Sequence, residues 1–144
     1  MKKYEFTGEV KVKFGVTLKR IRALIDFGNV KKGELGGFIE KEENLSYAGD
    51  AWVSGNAWVY GNAWVSGDAD YMVIGPIGSR FGFTTFFKNK NNKISVSCGC
   101  FLGTLAEFRA AVREKHGTDT KFAKVYQVAA DLAELQIEHI EKAD

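Results

Sequence analysis

The sequence predicts an α+β fold that is mostly β: a short left-handed β-helix of hexapeptide repeats, preceded by N-terminal strands and followed by a β-hairpin and two C-terminal helices. Three observations predict it. Gly49-Asp50-Ala51-Trp52-Val53-Ser54, Gly55-Asn56-Ala57-Trp58-Val59-Tyr60 and Gly61-Asn62-Ala63-Trp64-Val65-Ser66 are near-identical hexads, and Gly67-Asp68-Ala69 opens a fourth. A period of six, with a small residue and an aliphatic two places later, is a solenoid signature. Before the hexads, short runs alternate with period two; after Gly103, apolar residues recur at helical spacing.

Residues 4–14 carry Tyr4, Phe6, Val10, Val12 and Phe14, broken at Gly8, and read as one or two strands. Residues 18–25 read as another, with Arg20 and Arg22 on a shared face. Within the hexads, alternation sends Ala51, Ala57 and Ala63 inward with Val53, Val59 and Val65, and turns Trp52, Trp58 and Trp64 outward. The phase extends back through Leu45 and Ile39, which suggests about two coils between Phe38 and Tyr71. So short a rod does not stand alone. Its tryptophans pack against the chain's own flanks or against another subunit, and a homo-oligomer, dimer or hexamer, is expected.

After Asp70 the texture changes. Residues 71–74 read as a short strand, 75–80 as a turn with the chain's only proline, and 81–87 and 94–98 as the arms of a hairpin around the polar loop 88–93. Alternation gives Phe81, Phe83, Thr85 and Phe87 one face and Gly82, Thr84 and Phe86 the other; one face should be core. Thr104 with Glu107 forms a capping box for a helix to about His116, stopped by Gly117. A last helix over about 120–142 carries Phe122, Val125, Ala129, Leu132, Leu135 and Ile140 as its apolar stripe. Residues 1–70 thus form a strand-and-repeat unit, and residues 71–144 a hairpin and two-helix lobe that binds ligand.

Composition narrows the function classes. A net charge of +2 argues against coating DNA by bulk electrostatics, so any anion site is local. Cys98 and Cys100 are too close along one strand for a disulfide and make a poor zinc site, which points to reduced thiols. No apolar run reaches transmembrane length, so no membrane partner is expected. No metal or cofactor motif stands out, and no Ser-His-Asp order, HExxH or Walker A run is visible. Hexapeptide proteins are often acyltransferases, but here His116 and His139 fall on the terminal helices, away from the repeats.

The more informative constellation is cationic and aromatic. Arg109 and Arg113 lie four apart on one helix face, with no acid three or four residues from either. Such a pair seeks an anion from elsewhere, or is a solvated surface pair with Arg113 favoured near the helix C-terminus. Phe81 and Phe83 offer stacking surfaces, Thr84 and Thr85 hydroxyls, Asn92 an amide, and Ser79 with Arg80 a phosphate hold. Arg20 and Arg22, with Lys31 and Lys32, form a possible second anion site.

The run from Leu18 to Glu40, followed by Asn44-Leu45-Ser46 and the hexads, looks like the front half of many phage and prophage proteins with short hexapeptide arrays. With Ile74–Arg80, Phe83-Thr84-Thr85-Phe86, Cys98-Gly99-Cys100-Phe101 and the helix Thr104–His116, the chain resembles the first type of phage Thoeris anti-defence protein. The resemblance implies a non-enzymatic homo-oligomeric sponge. It would capture a cyclic ADP-ribose isomer in the cytoplasm of the infected bacterial host without cleaving it, and would block Thoeris signalling. Some members also bind cyclic di- or trinucleotides at separate sites. The positions that fit the family's pocket are Phe81 or Phe83, Asn92 (or Asn91), Arg109 and Arg113. The rival readings are an acyltransferase-like enzyme and a structural phage assembly protein.

Overall fold

The computed structural model describes residues 2–13, 15–55, 57–61, 63–66, 70–78, 82–98 and 101–137. Two four-stranded sheets and two helices make up the described chain. The first sheet has the order β1 (Tyr4–Lys13), β2 (Val16–Ala23), β3 (Leu35–Ile39), β4 (Trp58–Val59); β1–β2 and β2–β3 are antiparallel and β3–β4 parallel. The second is an antiparallel meander of β5 (Tyr71–Ile77), β6 (Gly82–Lys88), β7 (Ile94–Cys98) and β8 (Phe101–Thr104). Helices α1 (Leu105–His116) and α2 (Lys121–Gln136) follow.

The strand-rich α+β expectation holds, but the left-handed β-helix does not form. The sheets are rich in antiparallel pairs, and the repeats supply one two-residue strand, β4, with isolated bridges at Leu45–Val65 and Ala63–Asn89. The reason lies in pairing partners. The extended segments before and after the hexads find antiparallel neighbours, and such neighbours satisfy backbone groups that a solenoid would pair coil on coil. The inward set is nevertheless as alternation demands. Ala51, Val53, Ala57, Val59, Ala63 and Val65 are buried, with Leu45 and Ile39 beside them. Gly37 lets the hexad segment approach. Its N–H donates to Val53 O at 2.7 Å, and a Cβ there would stand 2.5 Å from Ser54 O and 2.7 Å from Ala57 O.

The outward tryptophans divide. Trp52 is buried edge-on to Phe27 at 5.5 Å. Trp58 lies under the ammonium groups of Lys11 and Lys13. Trp64 alone of the three stays exposed, at 46%. For two of them, then, packing against the chain's own flanks is the answer.

Both faces of the second sheet are covered, where one core face was expected. Phe87 joins the first core, and Thr85 and Ser97 bond the Trp58 backbone. On the other face Met72, Phe86, Ile94 and Val96 meet Phe108, Val112 and the alanines of α2. A half-buried ion pair, Lys88 Nζ to Asp70 at 3.0 Å, ties β6 to the end of the repeats.

Helix α1 begins and ends as its sequence requires. Thr104 accepts from Glu107 N, Glu107 reaches back to Thr104 N, and Gly117 caps the C-terminus at φ 78°. The described α2 buries Ala123, Tyr126, Ala129, Ala130 and Ala133, so the expected stripe is right at Ala129 and misplaced at Phe122, Leu132 and Leu135, which are exposed; Val125 is half-buried. Ile140 lies outside the described residues. The turn expected at 75–80 is partly strand, since β5 runs to Ile77 and contains a cis Gly75–Pro76 bond.

Candidate functional site

Arg109 does not wait for an outside anion. Its guanidinium donates to Gln127 Oε1 at 2.9 Å, Asp131 Oδ1 at 2.9 Å and Glu134 Oε1 at 2.5 Å, all on α2. The counter-charge missing within α1 comes from the neighbouring helix, and Arg109 acts as a clasp between the two. Arg113, one turn on, is exposed and has no ion pair among the described residues. Replacing Arg109 with alanine should therefore lower stability by about 1 kcal/mol, and replacing Arg113 by less than about 0.5 kcal/mol, in urea melts followed by circular dichroism.

The remaining expected residues disperse within one chain. Phe83 shares the β6 face of Thr85 and Phe87, on the opposite side of the sheet from α1. It is 39% exposed, at the edge of that face. Thr85 is buried, and its hydroxyl accepts from Trp58 N at 3.2 Å, a structural duty. Asn92 shapes the β6–β7 turn at φ 59°, its N–H donating to Asn89 O. It lies at the hairpin end roughly 16 Å along the strand from Phe83. Ser79, Arg80 and Phe81 lie outside the described residues, as do Cys100 and His139. Arg20 pairs with Glu9 at 3.3 Å and covers the Phe38 ring, while Arg22 pairs with Glu5 at 2.5 Å. Both guanidiniums are held by carboxylates of β1, and Arg20 Nε is buried without a hydrogen-bond partner among the described residues. His116 stacks on Tyr126 at 5.8 Å and packs against Phe122.

What the fold does assemble is an open cleft of about 910 Å³, a volume in the range of small-molecule sites. Phe6 of β1, Lys19 of β2, the stretches Lys41–Glu43 and Leu45–Tyr47, Trp64 and Lys90 line it. Two backbone contacts bring Trp64 and the hairpin loop together: Ala63 bridges Asn89, and Trp64 N donates to Lys88 O at 2.9 Å. Lys90 of that loop therefore reaches the cleft.

Three rings and three ammonium groups set its chemistry. Tyr47 stacks on Tyr4 at 4.6 Å and donates to Glu42 Oε1 at 2.7 Å. Burial, and then this carboxylate, push its hydroxyl up to about 12, so it remains a neutral donor at physiological pH. Lys19 donates to Glu40 O at 2.7 Å and lies over the Phe6 ring. Lys41 and Lys90 are exposed and have no ion pair among the described residues. Glu42 and Glu43 are both exposed and line the cleft; Glu42 is engaged by Tyr47 and Lys2. Flat apolar surfaces beside three lysines, set against the two carboxylates Glu42 and Glu43, suit a planar ligand carrying a small negative charge. Sequence reasoning missed this cleft because its walls are scattered from Phe6 to Lys90 and share no motif.

Among the described residues no helix is long and apolar enough to cross a membrane, and no cluster of His, Cys, Asp or Glu is arranged to hold a metal ion. Cys98 is a free thiol. Compared with known proteins, the chain matches no protein-family model and no curated protein.

Proposed function

We propose that this chain is a non-enzymatic sponge. It binds a cyclic ADP-ribose isomer in the cytoplasm of an infected bacterium and withholds it from Thoeris signalling without breaking a bond. The cleft of Phe6, Tyr47 and Trp64 beside Lys41 and Lys90 is the observation that carries the reading. A cyclic ADP-ribose isomer presents a base for stacking and a pyrophosphate for ammonium groups, and capture asks for no general base. The resemblance supports the ligand class. It also assigns Phe81 or Phe83, Asn92 (or Asn91), Arg109 and Arg113 to the family's pocket; within one chain Phe83 and Asn92 lie toward opposite ends of β6 and Arg109 is held by α2.

Calorimetric titration with cyclic ADP-ribose isomers tests the proposal and separates the two locations. If the cleft is the site, Trp64→Ala with Lys90→Ala weakens binding at least tenfold, and Arg113→Ala leaves it within twofold. If the family's pocket is the site, the pattern reverses and the cleft assignment falls. Absence of heat with every isomer overturns the sponge.

A further inference from the structure

Rings and ammonium groups alone would make the cleft a poor discriminator. Every nucleotide offers a base to Phe6, Tyr47 or Trp64, and the most highly phosphorylated would be drawn most strongly to Lys19, Lys41 and Lys90. The cleft also carries two carboxylates, Glu42 and Glu43, on the wall between Lys41 and Leu45. Three lysines against two glutamates leave one positive charge in excess, enough to hold a weak anion and too little to balance a strong one.

The two carboxylates differ in what holds them. Glu42 accepts from the Tyr47 hydroxyl at 2.7 Å and lies 3.9 Å from Lys2 Nζ. Glu43 is exposed and has no hydrogen bond or ion pair among the described residues. Its charge therefore acts on whatever enters the cleft. A carboxylate beside ammonium groups weakens their pull on any anion, and the loss grows with the charge the anion carries.

We infer that Glu43 is a charge filter: it sets the cleft to accept nucleotides of low negative charge, the cyclic ADP-ribose isomers among them, and to reject nucleoside triphosphates. Such a filter deepens the proposed function and rests on the cleft being its site. It would keep a protein that captures a nucleotide signal unoccupied in a cytoplasm rich in ATP.

Calorimetric titration with AMP and ATP tests the filter, in magnesium-free buffer so that ATP keeps its full charge, about twice that of AMP. The wild-type protein should bind ATP no more tightly than AMP. Glu43→Gln keeps the size of the side chain and removes its charge. It should strengthen ATP binding about tenfold and AMP binding about threefold, and both gains should shrink in high salt. Glu114 is an exposed acid of α1 outside the cleft, and Glu114→Gln, the control for net charge, should leave both affinities within about twofold. A wild type that prefers ATP, a Glu43→Gln gain equal for both nucleotides, or a Glu43→Gln variant that gives no heat with ATP overturns the filter. The nucleotide pair also separates the filter from the reading beneath it. If cyclic ADP-ribose isomers give no heat while ATP still answers to Glu43, the sponge falls and the filter stands. If the isomers bind and ATP is indifferent to Glu43, the filter falls and the sponge stands.

Discussion

Replacing Asn44 with alanine lowers the free energy of unfolding by about 3–4 kcal/mol. Asn44 is fully buried and uses its whole amide. Oδ1 accepts from Glu40 N and Lys41 N, both at 3.1 Å; Nδ2 donates to Gly61 O at 3.0 Å and Ala63 O at 3.1 Å. One side chain thus satisfies two donors in the turn after β3 and two acceptors in the hexads. Alanine takes their side-chain partner from Lys41 N, Gly61 O and Ala63 O, leaves Glu40 N with its bond to Val59 O alone, and opens a void between the segments. Leucine fills the void yet restores no hydrogen bond, so Asn44→Leu should recover less than about 1 kcal/mol of the loss. Urea unfolding followed by tryptophan fluorescence reads both values. A loss under about 1 kcal/mol for alanine would show that the amide does not hold the segments together.

Lys3 gives the second large effect. Its side chain is 1% exposed, and Nζ donates to the carbonyls of Ala48, Gly49 and Ala51 at 3.4, 3.2 and 2.7 Å, with the ammonium 4.8 Å from the Phe27 ring centre. A charged terminus here caps the chain's entry into the hexads, where three carbonyls converge. Lys3→Met keeps the apolar stem and removes the donors, leaving those carbonyls to find water or remain unbonded. The expected cost is about 3 kcal/mol, or a fall in thermal midpoint of roughly 6–12 °C for a chain of this size. An unchanged midpoint would mean that solvent replaces the ammonium without penalty.

These two residues mark where the sequence stops being legible. The alternation Ala51-x-Val53, Ala57-x-Val59 and Ala63-x-Val65 names the inward residues because side-chain direction is a local property of extended backbone. Which strand pairs with which is not local. The hexads therefore suggested a solenoid, whereas the surrounding segments close into antiparallel sheets around them. Helix α1 was readable at both ends because caps are local chemistry. The face of α2 was misread because its core side is built from alanines, which a hydrophobicity pattern ranks below the leucines that point outward.

The same limit governs the site. Arg109 has no acid three or four residues away in its own helix, but Asp131 and Glu134 lie 22 and 25 residues later and are brought against it only by helix packing. Phe83, Asn92 and Arg113 each carry suitable chemistry, and the fold sets them on different faces. The cleft unites Trp64, Tyr47 and Lys90 through backbone contacts between the hexads and the hairpin, which no spacing rule anticipates.

Capture without turnover is read from recovery of the ligand. The protein is saturated with a cyclic ADP-ribose isomer, freed of unbound ligand and heat-denatured, and the supernatant is weighed by mass spectrometry. The account predicts the unaltered cyclic molecule in fixed proportion to protein chains. A linear ADP-ribose product, or no retained ligand, would contradict it.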